Sequence, residues 1–230
     1  MTLSRRRLAQ ATALLALPGL GLDTFAQRAK DTLVLGMVLE PSPGLDPTTG
    51  AAAAIGEVVH YNVLEGLTKV TDSGAVLPLL ATDWVSDPDG KTYTFKLRSG
   101  VRFQDGTPFN AEAVKFSFER AKAPDSTNKA KKTVFDNISS IATPQADVVI
   151  LTLNNPDATL PFRLGEAPAV ILSPKSAATT ATQPVGTGPF RLDSWQKGSA
   201  ITLVRWDGFR DVAAIKLKRV SFRFISDNAA

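Results

Sequence analysis

Between Ala81 and Arg120 the apolar positions change period. From Thr92 to Arg98 they alternate: Tyr93, Phe95 and Leu97 fall on one side, Thr94, Lys96 and Arg98 on the other. That is the pattern of a strand with one buried face. From Asn110 onward the spacing lengthens. Ala111, Val114, Phe118 and Ala121 recur three and four apart, which predicts an amphipathic helix. Asn110 can cap that helix, and Glu112 puts a negative charge in its first turn, where the helix dipole favours one. Pro88-Asp89-Gly90 and Asp105-Gly106 supply turns on either side of the strand, and Pro124 marks the end of the helix.

The rest of the chain follows the same rules. Thr32–Val38 is a short apolar run that predicts a buried strand, ending at Glu40-Pro41 and followed by Leu45-Asp46-Pro47. Ala51–Leu67 predicts one helix, with Ile55, Val58, Val59, Asn62, Val63 and Gly66 roughly on one face. Ala123–Lys132 is polar and predicts an exposed loop. Val148–Leu153 is a nearly continuous apolar strand, and Ile138–Ala142 is expected to pair back onto it across Pro144–Asp147. Ser176–Thr182 predicts a surface helical turn or loop. Ala200–Trp206 and Lys216–Ile225 read as antiparallel strands around Asp207-Gly208.

Pro184–Phe190 (PVGTGPF) invites comparison with a phosphate-binding loop. That loop needs a Lys-Ser/Thr pair and a following helix. Here Phe190-Arg191-Leu192 opens a strand, so the glycines are expected to serve a tight backbone path.

Composition narrows the chemistry. The net charge is +4, and removing residues 1–26, which hold Arg5, Arg6, Arg7 and Asp23, leaves +2. No dense basic run is interleaved with aromatics, so nothing points to nucleic acid. The small cluster Lys129–Lys132 reads as a solvated loop. The absence of cysteine rules out disulfides, thiol nucleophiles, thiolate metal sites and a lipid-modified N-terminal cysteine. The single histidine, His60, is a poor start for a metal centre, which takes three or four protein ligands. No G-x-S-x-G elbow is present, and no carboxylate pair stands out by its spacing.

Residues 1–26 have the three parts of an export signal: Arg5-Arg6-Arg7, the apolar run Ala11–Leu22, and Thr24-Phe25-Ala26 as a cleavage site before Gln27. The apolar run is too short to span a bilayer. Ser4-Arg5-Arg6-Arg7-Leu8 also resembles a twin-arginine signal, and both export routes remain open.

As a composite string, the central stretch resembles the signature of the family 5 extracellular solute-binding proteins, the peptide- and nickel-binding components of ABC importers. The matching residues include Trp84, Asp89-Gly90, Thr92–Phe95, Leu97-Arg98, Gly100-Val101, Phe103, Asp105-Gly106, Phe116-Ser117 and Arg120. Asn62–Leu67, Val76–Trp84 and Pro184–Phe190 resemble further family segments. Trp206–Phe209 departs from the family pattern, so no role is carried onto Phe209.

The resemblance implies an α/β fold: a type II periplasmic-binding-protein-like first lobe with mixed sheets. Residues 27–50 and 171–230 would form its core, and 51–170 an inserted sub-domain. The second lobe is expected to be absent, making this chain the N-terminal part of a longer receptor, poorly soluble alone and weak in binding. The implied function is a periplasmic component that binds peptides, or else nickel chelates, sugars or opines, and delivers them to membrane permease subunits. The alternative is a secreted hydrolase or a secreted binding domain without a transport role. By resemblance, Glu40, Phe135 and Glu166 face the ligand, with Phe135 offering apolar or stacking surface and Glu166 meeting a cationic group. No catalytic residue, metal or cofactor is expected, and the mature chain is expected to be a monomer without a transmembrane segment.

Overall fold

The computed structural model describes residues 31–225. The export-signal pattern of residues 1–26 lies outside the described residues. In chain order the elements are β1 (Thr32–Met37), α1 (Ala53–Val59), β2 (Thr68–Val70), β3 (Val76–Pro78), β4 (Ala81–Ser86), β5 (Thr92–Leu97), α2 (Ala111–Lys122), β6 (Ile138–Gln145), β7 (Val148–Leu153), α3 (Leu160–Arg163), β8 (Phe190–Gln196), β9 (Ala200–Arg205) and β10 (Arg219–Phe224).

They build two four-stranded sheets and a small hairpin. One sheet has the order β4-β5-β7-β6 and is antiparallel throughout. The other has the order β1-β10-β9-β8, with β1 parallel to β10 and the remaining pairs antiparallel. β2 and β3 pair with each other.

The alternation in β5 does what its period demands. Tyr93, Phe95 and Leu97 are all buried, and on the paired strand β7 Val149, Leu151 and Leu153 are buried with them. α2 lays Val114 and Phe118 into the same core. Each fully buried side chain of this size contributes about 1.5–3 kcal/mol. The cap on α2 is the expected one: the Asn110 Oδ1 accepts a bond from the Ala113 N–H at 3.0 Å. Glu112 stands in the first turn, and Arg120 and Lys122 stand in the last, each sign matched to its dipole end. The pairings of β6 with β7 and of β9 with β10 also follow the sequence reading. A second core forms between α1 and the other sheet, from Ile55, Val58 and Val59 against Ile201, Leu203, Val220 and Phe222.

Three expectations need correction. The strand at Thr32 is not buried: Leu33, Val34 and Leu35 are 39%, 56% and 40% exposed. It lies at the edge of its sheet, paired on one side only among the described residues. The helix predicted over Ala51–Leu67 stops at Val59. The chain turns through Tyr61 at φ 60° because the next carbonyls are needed elsewhere. The Asn62 and Val63 carbonyls accept the Phe190 and Gly188 N–H groups at 2.9 and 3.0 Å. The loop 123–132 is not uniformly exposed either. Asn128 is buried, donating to the Pro168 carbonyl at 2.9 Å and accepting from the Ala130 N–H at 2.8 Å.

The glycines of 184–190 do serve close backbone approach. A Cβ on Gly186 would stand 1.9 Å from the Val63 carbonyl oxygen, and one on Gly188 would stand 2.6 Å from that of Asn62.

Candidate functional site

The three residues expected at a ligand surface lie in different surroundings. Glu40 follows β1 and is tied to the β8–β9 hairpin. Its carboxylate accepts the Trp195 Nε1–H at 2.7 Å and the Gly198 N–H at 3.0 Å. The Lys197 ammonium sits 3.0 Å from the centroid of the Trp195 ring. Both oxygens of Glu40 therefore already have donors.

Phe135 is fully buried, with its ring centroid 5.5 Å from that of Phe118. It packs the core under α2 and offers no stacking surface, which corrects the expectation. Glu166 is exposed and lines a recess of about 440 Å³ together with Ala158, Thr159, Phe162 and Arg163. Among the described residues no hydrogen bond or ion pair joins any two of Glu40, Phe135 and Glu166.

The recess is built by one helical turn. The Asp157 carboxylate accepts the Thr159 N–H at 2.9 Å and its hydroxyl at 2.6 Å, which starts the turn. Leu160 and Leu164, four apart, point into the core, and both are buried. The Thr68 hydroxyl donates to the Pro161 carbonyl at 2.6 Å and anchors the turn to β2. With that face inward, Phe162 is turned out and is 39% exposed. Arg163 Nε donates to the Thr159 hydroxyl at 3.0 Å and lies 3.7 Å from Asp157 Oδ2.

Among the described residues the Glu166 carboxylate makes no hydrogen bond or ion pair. Its charge is felt by Tyr61: burial, together with that charge, pushes the phenol above its ordinary pKa. The Tyr61 hydroxyl donates to the Gly165 carbonyl at 2.5 Å and accepts the Val70 N–H at 3.0 Å. Phe162, Arg163 and Thr159 were not singled out by sequence. The only available signal was the inward pair Leu160 and Leu164, a single helical repeat.

Other polar clusters are satisfied within the protein. Asp105 accepts the hydroxyls of Thr107, Ser173 and Ser176 at 2.5, 2.6 and 2.7 Å. Burial alone would raise its pKa, but these bonds outweigh it and hold the carboxyl at about 2. Such a carboxylate is too weak a base to activate the hydroxyls around it. Asp46 is buried and paired with Arg120 Nη2 at 3.0 Å, while Arg120 also donates to Thr48. The His60 Nε2 is buried without a partner, and burial lowers the ring pKa to about 4. Among the described residues no three His, Asp or Glu side chains gather as a metal site. None of the described helices is long and apolar enough to cross a membrane.

The family profile "Bacterial extracellular solute-binding proteins, family 5 Middle" matches residues 75–230. The glutathione-binding protein GsiB of Escherichia coli O157:H7 is 31% identical over 95% of this chain and 41% of its own length. Among solved structures, AgaA from A. tumefaciens R10, in complex with agropinic acid, superposes with a TM-score of 0.78 at 32% identity, over 85% of this chain and 40% of that one. DppA from Helicobacter pylori, bound to the peptide STSA, gives 0.76 at 28% identity, over 86% and 43%. The chain thus spans about two fifths of the length of the relatives it matches. The fold is that of a periplasmic binding protein's first lobe, α/β with one mixed and one antiparallel four-stranded sheet. With a profile match over more than half of its residues, the chain belongs to the bacterial extracellular solute-binding proteins of family 5.

Proposed function

We propose that this chain is the solute-binding component, or part of it, of an ABC importer, acting outside the cytoplasmic membrane and delivering a peptide or related small solute to permease subunits. The observation that carries the reading is the family match over residues 75–230. Support comes from what the similar proteins hold: GsiB is named for glutathione, DppA was solved with a peptide and AgaA with agropinic acid. Binding rather than catalysis fits the side chains. The Asp105 carboxylate is already filled by hydroxyl donors, and the one histidine is half-buried with its pKa lowered to about 4. Export rests on the pattern of residues 1–26, and family resemblance supports a first lobe whose core comes from 27–50 and 171–230.

The test is ligand-induced stabilisation of the purified chain. A solute present at a hundred times its Kd adds about 2.7 kcal/mol to stability. A panel of short peptides, opines, sugars and nickel–histidine should contain one that raises the melting temperature and is recovered unchanged. Turnover of that solute would favour a secreted hydrolase, and no shift with any solute, in this chain or in a full-length receptor that carries it, would count against the receptor. Sequencing the mature N-terminus from a periplasmic fraction tests export: a chain that keeps Met1 in the cytoplasm overturns it.

A further inference from the structure

We propose that the outer face of the β1-β10-β9-β8 sheet is a peripheral docking surface for an anionic phospholipid bilayer, with Arg191, Arg219 and Arg223 reaching the lipid phosphates. Its use, holding a receptor beside a membrane permease, rests on the reading above, but vesicle binding tests the surface apart from any solute.

The strand register puts the three arginines on one face. Arg219 stands opposite Val204, and Val204 opposite Arg191, so the three share a row across the sheet. Arg223 lies four residues further along β10, on the same side again. Val220 and Phe222 alternate with them, point the other way and pack in the core with α1. Two strand spacings separate Arg191 from Arg219, about 10 Å, and four residues separate Arg219 from Arg223, about 13 Å. All three arginines are exposed. Among the described residues the Arg191 and Arg223 guanidinium groups have no hydrogen bond or ion pair, and that of Arg219 meets only Asp193, at 2.9 Å. The middle row of the face is neutral, with Val34, Ser221, Thr202 and Ser194 side by side.

Charge is divided unevenly along the chain. Residues 190–225 carry eight Lys and Arg against three Asp, a net +5, while residues 31–189 carry 13 Lys and Arg against 17 Asp and Glu, a net −4. An ordinary solvated surface intersperses the two signs. Here the field turns the arginine face toward an anionic surface and the rest of the protein away from it.

A bilayer fits this face better than an acidic protein does. Four strands by five residues cover roughly 300 Å², well short of the ~800 Å² per partner that a stable protein interface buries. The three rows also hold no aromatic anchor of the kind that carries binding energy between proteins. At a lipid surface, by contrast, separate guanidinium groups act independently, and each can fork onto a phosphate.

The experiment is cosedimentation with large vesicles of phosphatidylcholine, alone or with about 30% phosphatidylglycerol. It uses the chain from Gln27 onward, because the apolar run Ala11–Leu22 would itself enter a bilayer. The protein should partition onto the anionic vesicles and not onto the neutral ones, and raising NaCl from about 0.02 M to about 0.3 M should release it. Arg191→Gln and Arg223→Gln should each weaken partitioning about fivefold, and the two together about 25-fold. Asp193→Asn removes the acid from this face and should strengthen partitioning a few-fold. Lys129→Gln with Lys132→Gln removes two charges in the segment after α2 and should leave partitioning within about twofold. All five positions are exposed, so melting temperatures should stay within a few degrees. Equal binding to neutral vesicles, equal losses from the Lys129 and Lys132 pair, or no gain from Asp193→Asn would overturn the surface and leave the receptor reading in place. So would retention on immobilised poly-L-glutamate without vesicle binding, which would assign the face to an acidic protein. Loss of vesicle binding in a full-length receptor that carries this chain would overturn it too, by showing the face covered there.

Discussion

Arg210, in the segment joining β9 to β10, closes a two-armed ion pair on Glu65, 145 residues earlier in the chain, with Nη1–Oε2 at 2.7 Å and Nη2–Oε1 at 2.8 Å. The Thr187 hydroxyl adds a third bond at 2.7 Å. Glu65 is 3% exposed and lies between Leu64 and Leu67, which belong to different hydrophobic cores. Arg210→Met leaves a buried carboxylate without its counter-charge. We expect a loss of about 3 kcal/mol, read as a lower urea midpoint at unchanged m-value. Adding Glu65→Leu should recover part of that loss. A single-variant effect of a few tenths of a kcal/mol would mean that the pair behaves as a surface contact.

Gly186→Ala should be among the most damaging conservative changes in the chain. The new methyl would stand 1.9 Å from the Val63 carbonyl oxygen, which is backbone and already accepts the Gly188 N–H. Forcing the two segments apart costs about 2–3 kcal/mol. Gly74→Ala is the contrasting case, since nothing lies within 4 Å of its Cβ position, and only its positive φ of 81° is strained. Urea midpoints of the two variants should differ clearly, with Gly186→Ala the lower.

His60 should make the chain less stable in mild acid. Burial, with a smaller contribution from Lys129, lowers its pKa from 6.5 to about 4, while a backbone contact at Gly165 opposes the shift. Above pH 6.5 the ring is neutral in both folded and unfolded chains, and stability is full. As pH falls from about 6.5 to 4 the unfolded chain gains a proton that the folded chain resists, and stability drops by an amount on the order of 3 kcal/mol. His60→Gln should flatten the melting-temperature profile across that window. Identical profiles for variant and wild type would refute the assignment.

Asp105 governs a lower window. Its folded pKa of about 2 lies below the ordinary 3.8, so its contribution is present above about pH 4 and is lost as pH falls through 2. Asp105→Asn replaces one side of a charge-assisted cluster with a neutral amide. The variant should melt a few degrees lower at pH 7, and the gap should close near pH 2. A constant gap at all pH values would show that shape rather than charge matters at this position.

The exposed strand β1 bears on solubility. Val34 is 56% exposed, and Val38 and Leu39, just beyond the strand, are 73% and 70% exposed. An apolar edge of this kind invites pairing between chains. Val34→Lys with Val38→Lys should raise the soluble yield and lower the mass seen by light scattering at high concentration. Unchanged behaviour would show that β1 is not the sticking edge.

The sequence by itself determined the elements whose pattern repeats several times. β5 alternates through Tyr93, Phe95 and Leu97, and α2 recurs from Ala111 to Ala121 with its cap in place. Such repeats leave one face for the core, whatever surrounds them. The family was legible for a different reason: many fixed spacings of glycines, aromatics and charges together are specific even when none is functional.

Tertiary structure decided what depends on distant partners. α1 stops at Val59 because the carbonyls of Asn62 and Val63 are taken by Gly188 and Phe190, more than a hundred residues away. The apolar run at Thr32 looks like a buried strand, yet position in the sheet sets exposure, and among the described residues β1 is an edge. Phe135 is an aromatic in a polar stretch, and only α2 lying over it makes it core. The recess at Glu166 comes from a single helical turn. Periodicity cannot orient so short an element, and the contacts of Leu160, Leu164 and Pro161 with the body of the protein turn Phe162 and the charges outward.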